Sequence, residues 1–124
     1  MRNKNGFLAL SLILIILAVV SAIVVSVSLM AIGEGKAGLF HYYGTYSLSL
    51  AEACMEDALL KFRTNPSYTG GTINFPQGSC NVTVSLVSGA YRVTTTFTYK
   101  NATRTIEAVV TRTSKLNLSS WKEK

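Results

Sequence analysis

Titratable chemistry is scarce in this chain. It holds one His, one Asp and two Cys, and six acidic residues against twelve basic ones. Two cysteines and a distant His41 do not make a four-ligand zinc site, so no metal is expected. The only carboxylate pair at helical spacing is Glu52 and Glu56, with no companion group or cleft to support acid–base work. An enzyme is therefore not expected, and no cofactor. Charge itself is missing from one long stretch: Phe7 to Ile32 contains no charged residue at all.

That run is too long for a disposable export signal, whose apolar region is about 7–15 residues and is followed by a small-residue cleavage site. As a helix it measures ~39 Å at 1.5 Å per residue, enough to cross a hydrocarbon core of ~30 Å. Arg2 and Lys4 precede it, which keeps the N-terminus cytoplasmic and sends the remainder outward. The expectation is a single-pass protein of the cell membrane. About 90 residues remain for one small domain, near the lower limit for an independent core.

Beyond the run, Leu48, Ala51, Cys54, Met55, Ala58, Leu59 and Phe62 fall in one arc of a helical wheel, an amphipathic stripe. Lys61 and Arg63 lie in its last turn, where they complement the helix dipole. Pro66 ends it. One helix is thus expected from about residue 7 to 64, with the glycines at 33, 35, 38 and 44 marking a flexible or melted stretch. After residue 64 the period becomes two. Cys80, Val82, Val84 and Leu86 alternate with polar residues. So do Tyr91, Val93, Phe97 and Tyr99, and then Ile106, Ala108 and Val110. These predict three antiparallel strands with turns at Ser88-Gly89 and Asn101-Ala102, and a short fourth strand at residues 72–75. The fold class expected is α+β: a long N-terminal helix whose second half packs on a small antiparallel sheet spanning about 72–114, with residues 115–124 a loose tail.

Cys54 lies on the dry helix face and Cys80 on the inward phase of its strand. In an exported domain, where disulfides persist, this argues for one bridge, with two unpaired buried thiols as the alternative. From Arg92 onward seven Lys or Arg face two acidic residues. Arg92, Lys100, Arg104 and Arg112 are a candidate basic face that would attract nucleic-acid phosphates without reading sequence. His41, among the aromatics of "LFHYYGTY", falls where an interfacial belt is expected.

The junction "MRNKNG" followed by "FLALSLILIILAVV" resembles the leader and N-terminal helix of type IV pilins and pseudopilins. The segment "SLAEACMEDALLKFRTNPSY" is similar to that of PilX-like minor pilins, with Cys54 where an "AEAG"-type pattern has Gly. The resemblance implies a leader of residues 1–6, removed by a prepilin peptidase between Gly6 and Phe7, and N-methylation of Phe7. It further implies an assembly helix of residues 7–32 that sits in membrane lipid before assembly and in the filament centre afterwards, and an exported domain of residues 33–124. The implied partners are other pilin subunits, the peptidase and an inner-membrane assembly platform. The implied location after assembly is a pilus or pseudopilus at the cell surface. Most major pilins carry Glu at the position occupied here by Ser11, where it is thought to pair with the N-terminal amine of a neighbouring subunit. Its absence points to a minor subunit serving filament initiation, the tip or adhesion. Two further readings stay open: a single-span anchor displaying an extracytoplasmic binding domain that never assembles, and a basic pilus subunit that contacts DNA.

Overall fold

The computed structural model describes residues 4–124, so Arg2 of the expected leader lies outside the described residues. Its first element, α1, runs Lys4–Thr64. It is followed by β1 (Gly70–Phe75), β2 (Gly78–Val87), β3 (Ala90–Tyr99), β4 (Ala102–Arg112) and β5 (Leu116–Glu123). The chain forms two compact units, one ending at Leu39 and the other Phe40–Lys124.

In the first unit α1 is long and apolar enough to cross a membrane. Its large side chains from Phe7 to Ile32 are exposed all round. The hydroxyls within the run are satisfied locally: Ser21, Ser26 and Ser28 donate to the carbonyls of Leu17, Ala22 and Val24 at 2.7–2.8 Å. This back-bonding leaves no side-chain donor seeking water, as an apolar surrounding requires. The melted stretch expected at the glycines is not seen. Gly33, Gly35, Gly38 and Gly44 are all helical. Glycine costs a helix about 1 kcal/mol relative to alanine but forbids nothing, and a run already nucleated on both sides propagates through it.

In the second unit the buried face of α1 is Gly44, Ser47, Ala51, Cys54, Met55, Ala58 and Phe62. The sequence stripe is thus recovered at its centre. Leu48 and Leu59 are only partly buried, at its margins. The face is built largely of small residues, which bring the helix backbone close to the strands. Two hydroxyls use that closeness. Ser47 Oγ lies 3.0 Å from both the Phe97 and Ala102 carbonyls, and Thr95 Oγ1 donates to the Ala51 carbonyl at 3.2 Å. Buried hydroxyls are tolerated because each has a partner.

The sheet is a five-stranded antiparallel meander in the order β1-β2-β3-β4-β5. Its helix-facing rows include Cys80↔Phe97↔Arg104 and Val84↔Val93↔Ala108. Phe62, Phe97, Met55, Ile106, Val93 and Val110 are the largest apolar side chains fully enclosed between helix and sheet. The Ser88-Gly89 turn has φ of 52° and 82°, the left-handed pair that matches strand twist in a two-residue hairpin. The next turn is Lys100-Asn101, with φ of 46° and 66°, not Asn101-Ala102. Tyr99 pairs with Ala102, so Ala102 already belongs to β4.

The C-terminal segment corrects the expectation of a loose tail: Leu116–Glu123 is β5, paired along β4. The register slips at a bulge between Val109 and Val110, so that Val109 faces Ser120 while Val110 faces Leu118. The extra residue shifts the alternation from Leu116 and Leu118 to Trp121 and Glu123, which erases the two-residue period over the segment. The sheet accordingly extends from Gly70 to Glu123 instead of 72–114.

Candidate functional site

Three groups of residues carry the candidate chemistry. The first is the start of α1. Gly6 has open space around it, and Phe7 is 73% exposed. Ser11 Oγ donates to the Leu8 carbonyl at 3.0 Å, so its hydroxyl is turned onto its own backbone. It supplies no charge to an amine nearby.

The second group is the Cys54–Cys80 pair, which is a disulfide with Cα atoms 6.5 Å apart. Both residues are fully buried, one on α1 and one on β2. The bridge thus staples the helix to the sheet at the edge of the core nearest β1, where Ile73 pairs with Cys80.

The third group is the set of basic residues, and the structure does not bring the four candidates onto one face. Arg104 and Arg112 share the inward phase of Ile106, Ala108 and Val110 on β4, at opposite ends of the helix-covered side. Arg104 Nη1 meets Glu123 Oε1 at 2.7 Å. Its guanidinium also lies where a Cβ on Gly44 would come within 2.8 Å; the missing side chain at Gly44 is what lets Arg104 lie against α1. Arg112 donates to the carbonyls of Phe62 and Arg63 at 2.9 and 3.3 Å. Arg92 occupies the opposite face, 3.5 Å from Glu107, and Lys100 sits in the β3–β4 turn. Phase explains the dispersal: the even-numbered positions of β4 already pointed inward with the apolar residues between them.

Glu107 is a residue that sequence reasoning missed. Strand alternation puts it on the outer, solvent-facing phase, yet it is 3% exposed. Lys124 Nζ lies 2.7 Å from its carboxylate, with Arg92 at 3.5 Å and Lys122 at 3.6 Å. The aliphatic stems of such side chains cover a neighbour while their charged heads stay wet. The Lys124 ammonium, more than any other group, holds the Glu107 carboxyl below the usual carboxylate range. Arg92 and Lys122 add to the effect, against the desolvation that opposes it. A sequence signal exists only once pairing is known, since Lys122 faces Glu107 across β4–β5. On α1, Asp57 lies 2.8 Å from Lys61 and raises that lysine above its ordinary value.

The aromatics beyond the apolar run also find partners within the domain. Tyr43 and Tyr46 meet Tyr99 edge-on, with ring centroids 5.7 and 4.8 Å apart, and Tyr42 stacks on Tyr46 at 6.0 Å. They tie this stretch of α1 to the end of β3, while His41 remains exposed. Glu52 and Glu56 are exposed on α1. Among the described residues no group of three or more His, Cys, Asp or Glu is gathered in the manner of a metal site. No family model, curated protein or solved structure matches this chain.

Proposed function

We propose that the chain is a minor type IV pilin or pseudopilin, a structural subunit serving filament initiation, the tip or adhesion. One observation carries the reading. A single helix passes a basic–Gly–Phe junction, runs uncharged and uncovered from Phe7 to Ile32, and continues to Thr64 with one face buried under an antiparallel sheet. A subunit of this kind needs an apolar rod that is at home in lipid before assembly and among other rods afterwards. The locally satisfied serines of the run suit both surroundings. It also needs a domain that survives outside the cytoplasm, and a disulfide between helix and sheet suits an oxidising compartment. In this reading the prepilin peptidase cuts between Gly6 and Phe7, and the new amine at Phe7 enters the filament through the assembly platform. Ser11 offers no carboxylate to the amine of a subunit above. An isolated ammonium in a dry core is costly, so the subunit belongs where none lies above it.

N-terminal sequencing of the protein recovered from membranes tests this. A chain beginning at methylated Phe7 is the expected result, and Gly6→Val should leave the chain uncut. An intact Met1 in the wild-type chain, or shortening of the Gly6→Val variant by the same six residues, overturns the prepilin reading. The first outcome returns the protein to a plain anchor that displays its domain.

A further inference from the structure

The nine Lys and Arg residues of the Phe40–Lys124 unit divide by what they touch. Lys61, Arg92, Arg104, Lys122 and Lys124 each form an ion pair with a carboxylate. Arg63, Lys100, Arg112 and Lys115 have no carboxylate partner among the described residues. Three of these four line one cavity, where the end of α1 meets the β4–β5 connection. The cavity has a volume of about 470 Å³ and is walled by Arg63, Arg112, Thr113, Ser114, Lys115 and Leu116, with no acidic residue among them.

Arg112 is held in place. Its two bonds to the last carbonyls of α1 fix the guanidinium plane, and its centre lies 5.4 Å from the Phe62 ring centroid. Those bonds engage two of about five N–H donors and leave the others free. The partial negative charge of a helix C-terminus accounts for an arginine at this spot. It accounts for Arg63 in the last turn of α1 as well, but not for Lys115, which the β4–β5 connection brings to the same cavity, where like charges repel at short range. The connection that carries Lys115 is closed on itself by the Thr113 N–H donating to the Lys115 carbonyl at 3.2 Å. The Thr113 hydroxyl donates to the same carbonyl at 3.4 Å, which leaves Ser114 as the hydroxyl free to face the cavity.

We propose that this cavity binds an oxyanion of two or more negative charges, a phosphate carried by a small ligand or free sulfate. The fixed guanidinium of Arg112 supplies the oriented donors. Arg63 and Lys115 neutralise the charge from the flanks, and the Ser114 hydroxyl donates to a remaining oxygen. Charge-assisted bonds of this type are the strong ones at a partly wet site. The site does not depend on whether the chain enters a filament.

The test is calorimetric titration of the full chain, in neutral detergent at low ionic strength, with inorganic pyrophosphate in one arm and sulfate in another. Saturable one-to-one binding of at least one anion is expected, and the arm that binds identifies the source. Arg63→Gln and Lys115→Gln alter exposed side chains and should unfold at the wild-type midpoint, yet each should weaken binding about tenfold. Lys100→Gln removes the same charge elsewhere and should leave binding unchanged. Absence of saturable binding in both arms, or equal weakening by Lys100→Gln, overturns the proposal.

Discussion

The Cys54–Cys80 bridge is the feature whose removal has the most calculable consequence. Replacing both cysteines by Ala leaves no stray thiol and frees β2 from α1. The two residues are 26 apart in sequence, so the closed loop has about 27 residues and loop-closure entropy assigns the bridge about 3.5 kcal/mol at 25 °C. Both sulfurs are fully buried, and their loss from a packed core adds roughly 1–2 kcal/mol. The unit Phe40–Lys124 has about 85 residues, for which a total stability of roughly 4–13 kcal/mol is ordinary. The bridge is thus a large share of what holds the domain. Trp121, on β5 and partly exposed, reports unfolding of the sheet without interference from the apolar part of α1. Thermal melts followed by its fluorescence should shift downward by roughly 15–25 °C for the entropic part alone. Reducing the wild-type chain isolates that part, because reduction keeps the sulfur atoms in the core. A loss below about 1 kcal/mol in chains whose thiols are shown by mass to be free would refute the argument, since loop-closure entropy would then not be what the bridge supplies.

Other perturbations follow from the same contacts. Glu107 has a folded pKa below its ordinary 4.5, so its contribution to stability is complete above that value and is lost as pH falls through the lower folded one; the gap in melting temperature between wild type and Glu107→Gln should close on acidification below pH 4.5, and a gap that stays constant contradicts the assignment. Ser47→Ala strips the shared donor from the Phe97 and Ala102 carbonyls and should cost about 1–2 kcal/mol in urea unfolding; an unchanged midpoint would mean that water serves those carbonyls equally well. On the proposed pilin reading, Ser11→Glu places a carboxylate where an N-terminal amine above would need one, and immunogold counts along sheared filaments should rise; unchanged counts would remove Ser11 as the reason for the proposed terminal position.

Much of the architecture is legible from residue order because it rests on local periodicity. An uncharged run of this length has few environments open to it. The stripe from Ala51 to Phe62 has to be covered, and alternating strands joined by two-residue turns pair with their neighbours. The disulfide partners could be named for the same reason, since Cys54 and Cys80 each share phase with the apolar residues of their own element. The inward phase of Arg104 and Arg112 is equally legible in the alternation of β4, and it removes both from an exposed basic face.

What periodicity could not determine is whatever depends on which residues face one another across elements. β5 has a bulge in its register, and one extra residue scrambles an alternation that only pairing with β4 restores. Glu107 lies on a solvent-facing phase and becomes buried because three long cations converge on it from neighbouring strands and the C-terminal lysine. Gly44 and Ser47 look like poor helix residues until Arg104 and two strand carbonyls are seen against them. The α+β plan, the apolar rod and the bridge were set by the chain itself, because short-range pattern and burial select them. The turn position, the last strand and the pairing of each charge were decided only in the tertiary structure, where separation in space replaces separation in sequence.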